Sequence, residues 1–236
     1  KLTKYTSSSR NRLLYIQKIC ERNNKINIEE LNKIYWDTFF NYMKLFDGVD
    51  LFLDFCNKNN IKICIVTDFT LDYQIKKLKK LNIYNKINYI VTSEEVGREK
   101  PCKYMFLEAL DKLNLTKDQV IMIGDNYEKD ILGALAINIK PLWFTNKISE
   151  NTITFNCFNT LLDNFKLIKK SLIELTYISK YCGQRFDLVQ AGGGNTSVKI
   201  DDLMIIKASG CNLSEISIDK NYVILNNNNI LEKSYN

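Results

Sequence analysis

Four short apolar runs, near residues 61–67, 87–92, 119–124 and 139–144, alternate with segments whose apolar residues recur at helical spacing, and this alternation limits the possible folds most strongly. Strands buried on both faces read as continuous apolar runs, and helical connections between them imply parallel pairing. From Asp47 to Thr145 the pattern therefore predicts a parallel sheet with helices on both faces. The run ends are polar. IKICIVTDFT ends in Thr67 and Asp68, and IMIGDNYEKDILGA ends in Gly124 and Asp125, with Asp130 inside the helix expected next. In an open α/β sheet ligands gather at the carboxyl ends of strands, so these side chains are placed in a cleft rather than a core.

Between the two strands lies VGREKPCKYMF, where Lys100 precedes Pro101 and an amphipathic stretch carrying Phe106, Leu110 and Leu113. Pro101 is expected in the first turn of that helix, where its missing donor costs nothing. A hydroxyl (Thr67), an ammonium (Lys100) and two carboxylates (Asp125, Asp130) form a set that would surround a phosphoryl group with donors and a hard cation. Mg²⁺ needs only one or two protein carboxylates beside water and phosphate oxygens.

This ordered series resembles the haloacid dehalogenase superfamily, whose members are mostly Mg²⁺-dependent phosphatases. Thr67 matches the second family motif, Lys100 with Pro101 the third, and Asp125 with Asp130 the fourth, over roughly residues 1–150. The resemblance implies that Thr67, with Asp68 beside it, and Lys100 hold the phosphate, while Asp125 ligates Mg²⁺ supported by Asp130. The first family motif, a strand followed by Asp-x-Asp that supplies the nucleophile and the acid/base, is not found. Asp50 and Asp54 fall in LFDGVDLFLDF, a helical pattern that turns Val49, Leu51, Phe52, Leu53 and Phe55 toward a core, so both read as solvated positions. Residue 1 is Lys, and the opening sequence looks like the cap that follows the missing motif. The expectation is a fragment unable by itself to form an aspartyl-phosphate intermediate.

The chain contains no histidine, which rules out His-dependent zinc sites, triads and proton relays within these residues. Its formal charge of +6 comes from dispersed lysines, and IKKLKKL at 75–81 reads as a solvated helix face rather than a nucleic-acid patch. No apolar run reaches the ~18 residues of a membrane span and no signal peptide is evident. The expectation is a cytoplasmic protein with no membrane or nucleic-acid partner. Seven cysteines without a C-x-x-C pair read as reduced thiols, and the Asn-rich composition, with NNNN at 226–229, reads as compositional bias.

Four regions are expected. Residues 1–46 form a partial helical cap, with one pattern around Leu13, Leu14, Ile16 and Ile19 and another around Leu31, Ile34, Tyr35, Phe39 and Tyr42. Residues 47–150 form a Rossmann-like core lacking its first strand, 151–167 a polar linker, and 168–236 a second α/β domain. In that domain KKSLIELTYISKYCGQ reads as a helix, and TSVKI and LMIIK as strands of a hairpin turned at Asp201-Asp202. The AGGGNTS loop offers bare backbone amides to an anion, and ASG at 208–210 follows the second strand. From about 168 to 218 the sequence resembles the N-terminal part of class II aldolases and adducin head domains. That resemblance implies that Gly194, Asn195, Ser209 and Gly210 hold a phosphorylated sugar or ketone. It also implies Zn²⁺ for an intact aldolase domain, whose histidine ligands are not in this chain, and association into a homo-oligomer. Glu215 reads as a capping or surface residue. Taken together, the two resemblances imply part of a bifunctional enzyme, a Mg²⁺-dependent phosphatase joined to an aldolase, acting on small phosphorylated metabolites such as sugars. A catalytically silent binding or regulatory protein on the same scaffolds, or a dehydratase fused to an enolase-phosphatase, fits the same features.

Overall fold

In the computed structural model, which describes residues 12–23, 27–185, 187–189 and 194–226, the chain divides into two units, Lys1–Asn159 and Thr160–Asn236. The first opens with helices α1 (Arg12–Glu21) and α2 (Ile28–Tyr42). The Asn27 side chain caps α2 by accepting from the Glu29 and Glu30 amides at 2.8 and 3.2 Å, a contact worth about 1 kcal/mol. Then follow α3 (Val49–Lys58), β1 (Cys64–Thr67), α4 (Leu71–Lys80), β2 (Tyr89–Thr92), α5 (Ser93–Val96) and α6 (Lys103–Leu113). A π-helical turn, Tyr127–Ile131, links β3 (Ile121–Gly124) to α7 (Leu132–Leu135), and β4 (Lys140–Phe144) and β5 (Ile153–Phe155) complete the strands.

All strand pairs in this unit are parallel, but they form two sheets, β1-β2 and β3-β4-β5, rather than the single sheet expected. Among the described residues no strand lies between β1 and β3, so each has a hydrogen-bonded partner on one side only. Side-chain alternation along the strands explains how helices cover both faces. Val91 of β2 belongs to a core with Met105, Phe106 and Ala109 of α6, against which Cys64 and Val66 of β1 and Met122 of β3 pack, so α6 spans both sheets. Ile90 contributes instead to a second cluster with Leu53 of α3 and Leu78 of α4.

Gly133 of α7 sits directly on α6. A Cβ there would meet the Phe106 ring at 2.6 Å, and Phe106 is buried. Gly133→Ala gains up to about 1 kcal/mol of helix propensity, against an overpacking cost of about 1–3 kcal/mol. The expected net is a destabilisation of about 1–2 kcal/mol, read from the midpoint of urea unfolding.

Several expectations change. Asn residues do much of the work of helix termination: Asn60, Asn82, Asn114 and Asn138, each just past a helix, have φ between 52° and 61°. This is the left-handed region in which Asn is tolerated best after Gly, so the Asn-rich composition has a structural use. In α2 the buried ring is Trp36, whereas Ile34 and Tyr42 are exposed, and in α3 Leu51 is exposed beside buried Phe52, Leu53 and Cys56. Pro101 lies before α6, whose N-cap is Cys102, rather than in its first turn, and the Lys100-Pro101 bond is cis. Residues 151–167 are not a linker. Within them Ile153–Phe155 pairs with β4, and Phe155 and Phe158 pack on the Phe144 ring at 5.3 Å each.

α8 (Phe158–Gly183) begins at the end of the first unit and runs through the second. There β6 (Ser197–Ile200), β7 (Leu203–Lys207) and β8 (Tyr222–Asn226) form an antiparallel sheet in the order β6-β7-β8, with the expected turn at Asp201-Asp202. Leu172 and Leu175 of α8 share a core with Ile200 and Ile205. Glu215 closes a capping box with Asn212, and its carbonyl accepts from Asn221 Nδ2 at 2.8 Å. Among the described residues no helix is long and apolar enough to cross a membrane.

Candidate active site

The first unit gathers its sequence-predicted polar residues at the carboxyl ends of β1 and β3. Thr67 closes β1, and Gln74 of α4 donates to its Oγ1 at 2.6 Å. Because the hydroxyl oxygen accepts that bond, its own proton remains available to a ligand. Asp68 follows, and its carboxylate accepts from the Lys100 amide at 2.8 Å and from Lys129 Nζ at 2.6 Å. Lys100 reaches back with Nζ to the Val66 carbonyl at 2.9 Å and to Asp130 Oδ1 at 2.7 Å. Three segments far apart in sequence are thereby tied together through one ammonium group.

Asp130 takes its position from the tight turn after β3. Its amide donates to the Asn126 carbonyl at 2.8 Å, and its Oδ2 accepts from the Asn126 amide at 3.0 Å. Gly124 makes room for this, since a Cβ there would collide with the Asp130 Cβ and carboxyl group. Asn126 Oδ1 caps the π-helical turn by accepting from the Lys129 amide at 2.9 Å. Asp125 is exposed at the strand end, and its carbonyl is fixed by Trp143 Nε1 at 3.0 Å. Thr67, Asp68, Lys100, Asp125 and Asp130 all line one cavity of about 270 Å³, whose other walls include Trp36, Phe69, Gln74, Asn126 and Lys129.

Two participants went unread in the sequence. Glu99 is 1% exposed and accepts from Lys129 Nζ at 3.0 Å, and Lys129 itself is buried. The available signal was adjacency: Glu99 beside Lys100, and Lys129 beside Asp130. At the cavity floor Lys100 and Lys129 stand beside Asp68, Asp125 and Asp130, and Glu99 is buried behind Lys129, so this cluster of two ammonium groups and four carboxylates is left with two negative charges. That balance suits a divalent cation. Among the described residues no group of three or more His, Cys, Asp or Glu side chains could enclose a metal, so a cation here depends on ligand or water oxygens for most of its shell. Mg²⁺ tolerates that; zinc, with its preference for nitrogen and sulfur, does not fit.

Asp50 and Asp54 lie on α3 and share Lys86 at 2.5 and 2.7 Å, as partly exposed ion pairs. The seven cysteines are free thiols. Burial pushes the Cys64 thiol up to about 11, so alkylation by iodoacetamide at pH 8 is expected to spare Cys64 in the native protein and reach it after unfolding.

In the second unit the ladder continues from β7 to a bond between the Lys207 amide and the Thr196 carbonyl at 3.1 Å. Asn195 and Ser209-Gly210 therefore leave the same end of the β6-β7 hairpin. Gly194 and Gly210 have φ of +99° and +79°, and Asn195, Ser209 and Gly210 are exposed. Residues 191–193 of the glycine-rich loop lie outside the described residues.

Comparison with known proteins bears on the first unit. The chain is 29% identical over 143 residues to a ribulose-1,5-bisphosphate 5-phosphatase of Halopiger xanaduensis, covering 59% of this chain and 60% of that one. It is 35% identical over 100 residues to a glyceraldehyde 3-phosphate phosphatase of Methanopyrus kandleri, covering 42% and 43%. The chain thus spans about half the length of these curated relatives. Among solved structures, a HAD phosphatase from Thermococcus onnurineus matches with a TM-score of 0.50 at 16% identity, over 65% of this chain and 87% of that one. The magnesium-bound YfnB protein of Bacillus subtilis matches with a TM-score of 0.53 at 20% identity, over 64% and 69%. At these identities the two structures speak to the fold alone. Residues 2–144 match the family model for haloacid dehalogenase-like hydrolases, and the chain belongs to that family.

Proposed function

We propose that the first unit carries the phosphate-binding and metal-binding side of a Mg²⁺-dependent phosphomonoesterase acting on small phosphorylated metabolites. The observation that carries this reading is the Lys100 ammonium, held at 2.9 Å from the Val66 carbonyl and 2.7 Å from Asp130 beside the Thr67 hydroxyl. The Thr67 hydroxyl and Lys100 would bind phosphoryl oxygens. Asp68 contributes through its backbone N–H, because its carboxylate is engaged by Lys129 and the Lys100 amide and, being anionic, repels phosphate. Asp125 would ligate Mg²⁺, with Asp130 placed behind it through Lys100 and Asn126. The bound cation would supply charge stabilisation to the phosphoryl oxygens. The relatives named as sugar-phosphate phosphatases support the same substrate class.

The sequence has no Asp-x-Asp, and so no paired nucleophile and acid/base of the family type. This chain is therefore expected to bind inorganic phosphate in MgCl₂ yet to hydrolyse p-nitrophenyl phosphate no faster than buffer. Calorimetric titration of phosphate tests the binding reading: Thr67→Ala should weaken affinity by about ten- to a hundredfold, the loss of one hydrogen bond to a charged group. Unchanged affinity in that variant, or turnover by the unaltered chain, would contradict the assignment.

For the second unit we read Gly194, Asn195, Ser209 and Gly210 as the phosphate-holding end of a class II aldolase-type domain. Their shared position at one end of the β6-β7 hairpin supports this. An aldolase reaction would need zinc, for which this chain has no histidine, and assembly into oligomers belongs to the same reading.

A further inference from the structure

The cavity has two chemically distinct ends. Its floor carries the carboxylates and lysines described above; its other wall, drawn from α1, α2, the loop after β1 and α4, carries Arg12, Tyr35, Trp36, Phe39, Phe69 and Lys77. Trp36 stacks on Tyr73 with ring centroids 4.0 Å apart and tilts against Phe69 at 5.7 Å, which makes this wall a packed aromatic surface. Lys77 lies within it, its Nζ 5.2 Å from the Phe39 centroid and 5.3 Å from that of Phe69. Aromatic faces attract a desolvated ammonium, but they do not neutralise it. Burial, and then the nearby Arg12 guanidinium, lower the Lys77 pKa, which is the signature of a cation without a compensating anion. Among the described residues neither Arg12 nor Lys77 forms an ion pair, whereas Lys100 and Lys129 each have carboxylate partners.

Resting on the phosphatase reading above, we propose that Arg12 and Lys77 form a second anion subsite, and that the substrate is a short phosphomonoester bearing another anionic group, a phosphate or a carboxylate, at its far end. An anion between these two cations offsets the cost of keeping both in a water-poor wall, and the guanidinium can grip it with paired donors. The same charges repel nothing in a singly phosphorylated neutral sugar, yet they gain nothing from it either. Selection for a doubly anionic molecule follows from that difference in binding energy. The volume of about 270 Å³ falls just under the ~300–1,000 Å³ usual for drug-sized ligands, which limits the molecule to a chain of a few carbons.

Calorimetry on the full chain in MgCl₂, with three probes, tests the subsite. Glycerol 3-phosphate has a neutral far end, 3-phosphoglycerate a carboxylate, and ribulose 1,5-bisphosphate a second phosphate. At least one of the doubly anionic probes should bind about tenfold more tightly than glycerol 3-phosphate, and their order tells which anion is preferred. Lys77→Met should erase most of that preference, Arg12→Gln should reduce it, and Lys77→Arg should retain it. Equal affinities for all three probes, or a preference that survives both Lys77→Met and Arg12→Gln, would overturn the subsite while Thr67→Ala still weakens every probe. If no probe binds, or Thr67→Ala changes none of them, the phosphate-binding reading fails and takes this proposal with it.

Discussion

Lys129→Met is expected to destabilise the protein by about 3–5 kcal/mol, the cost of removing one partner from a buried charge cluster. Lys129 is 8% exposed, and its ammonium is the shared partner of Asp68 at 2.6 Å and Glu99 at 3.0 Å. With it gone, Glu99 at 1% exposure would lose the ammonium 3.0 Å away, and Asp68 would retain the Lys100 amide. Since a domain is typically stable by only about 5–15 kcal/mol, this one change takes about a fifth or more of the margin. Urea unfolding monitored by Trp fluorescence gives the value. Glu99→Gln combined with Lys129→Met should cost less than the two single changes added, because the double variant buries one charge fewer. The contrast is Asp50→Asn: the Lys86–Asp50 pair is more than half exposed on the carboxylate side, and its loss should cost about 0–1 kcal/mol. A small effect for Lys129→Met would mean that water reaches the cluster and that the loop before α6 is not held by it.

Asp125→Asn is expected to abolish the dependence of phosphate binding on Mg²⁺ while leaving folding untouched. Asp125 is exposed, its carbonyl accepts from Trp143 Nε1, and among the described residues its side chain has no hydrogen bond or ion pair. Its removal should move the unfolding free energy by no more than about 0.5 kcal/mol. In the unaltered chain Mg²⁺ should strengthen phosphate binding by about tenfold or more, because the cation is shared between a carboxylate and the anion's oxygens. The amide of Asn keeps the shape and loses the charge, so the two titrations, with MgCl₂ and with EDTA, should coincide in the variant. If Mg²⁺ still strengthens binding there, the cation is held elsewhere.

Much of this arrangement is legible in the sequence. Strands β1 to β4 of the first unit lie where apolar runs end in turn residues, and Thr67, Lys100, Asp125 and Asp130 reach one cavity because strand ends and loop starts beside parallel strands share an edge. What was not legible depends on partners distant in sequence. A buried Glu99 is invisible in a pattern that treats charged residues as surface, until Lys129, 30 positions away, is seen to neutralise it. Trp36 was passed over because α2 is aromatic on several sides, and only contact with Tyr73 and Phe69 selects the face that packs. Arg12 and Lys77 look like two of many dispersed basic residues; placement in one aromatic wall is a tertiary fact. β5 was missed for a simpler reason, since three residues in a polar stretch carry too little periodicity to register.

The most direct test is the position of a phosphate mimic. In crystals grown with MgCl₂ and sodium tungstate, the account predicts tungsten density within hydrogen-bond reach of Thr67 Oγ1, the Asp68 amide and Lys100 Nζ, with Mg²⁺ between the anion and Asp125. Tungstate bound elsewhere, with this cavity filled by water alone, would contradict it.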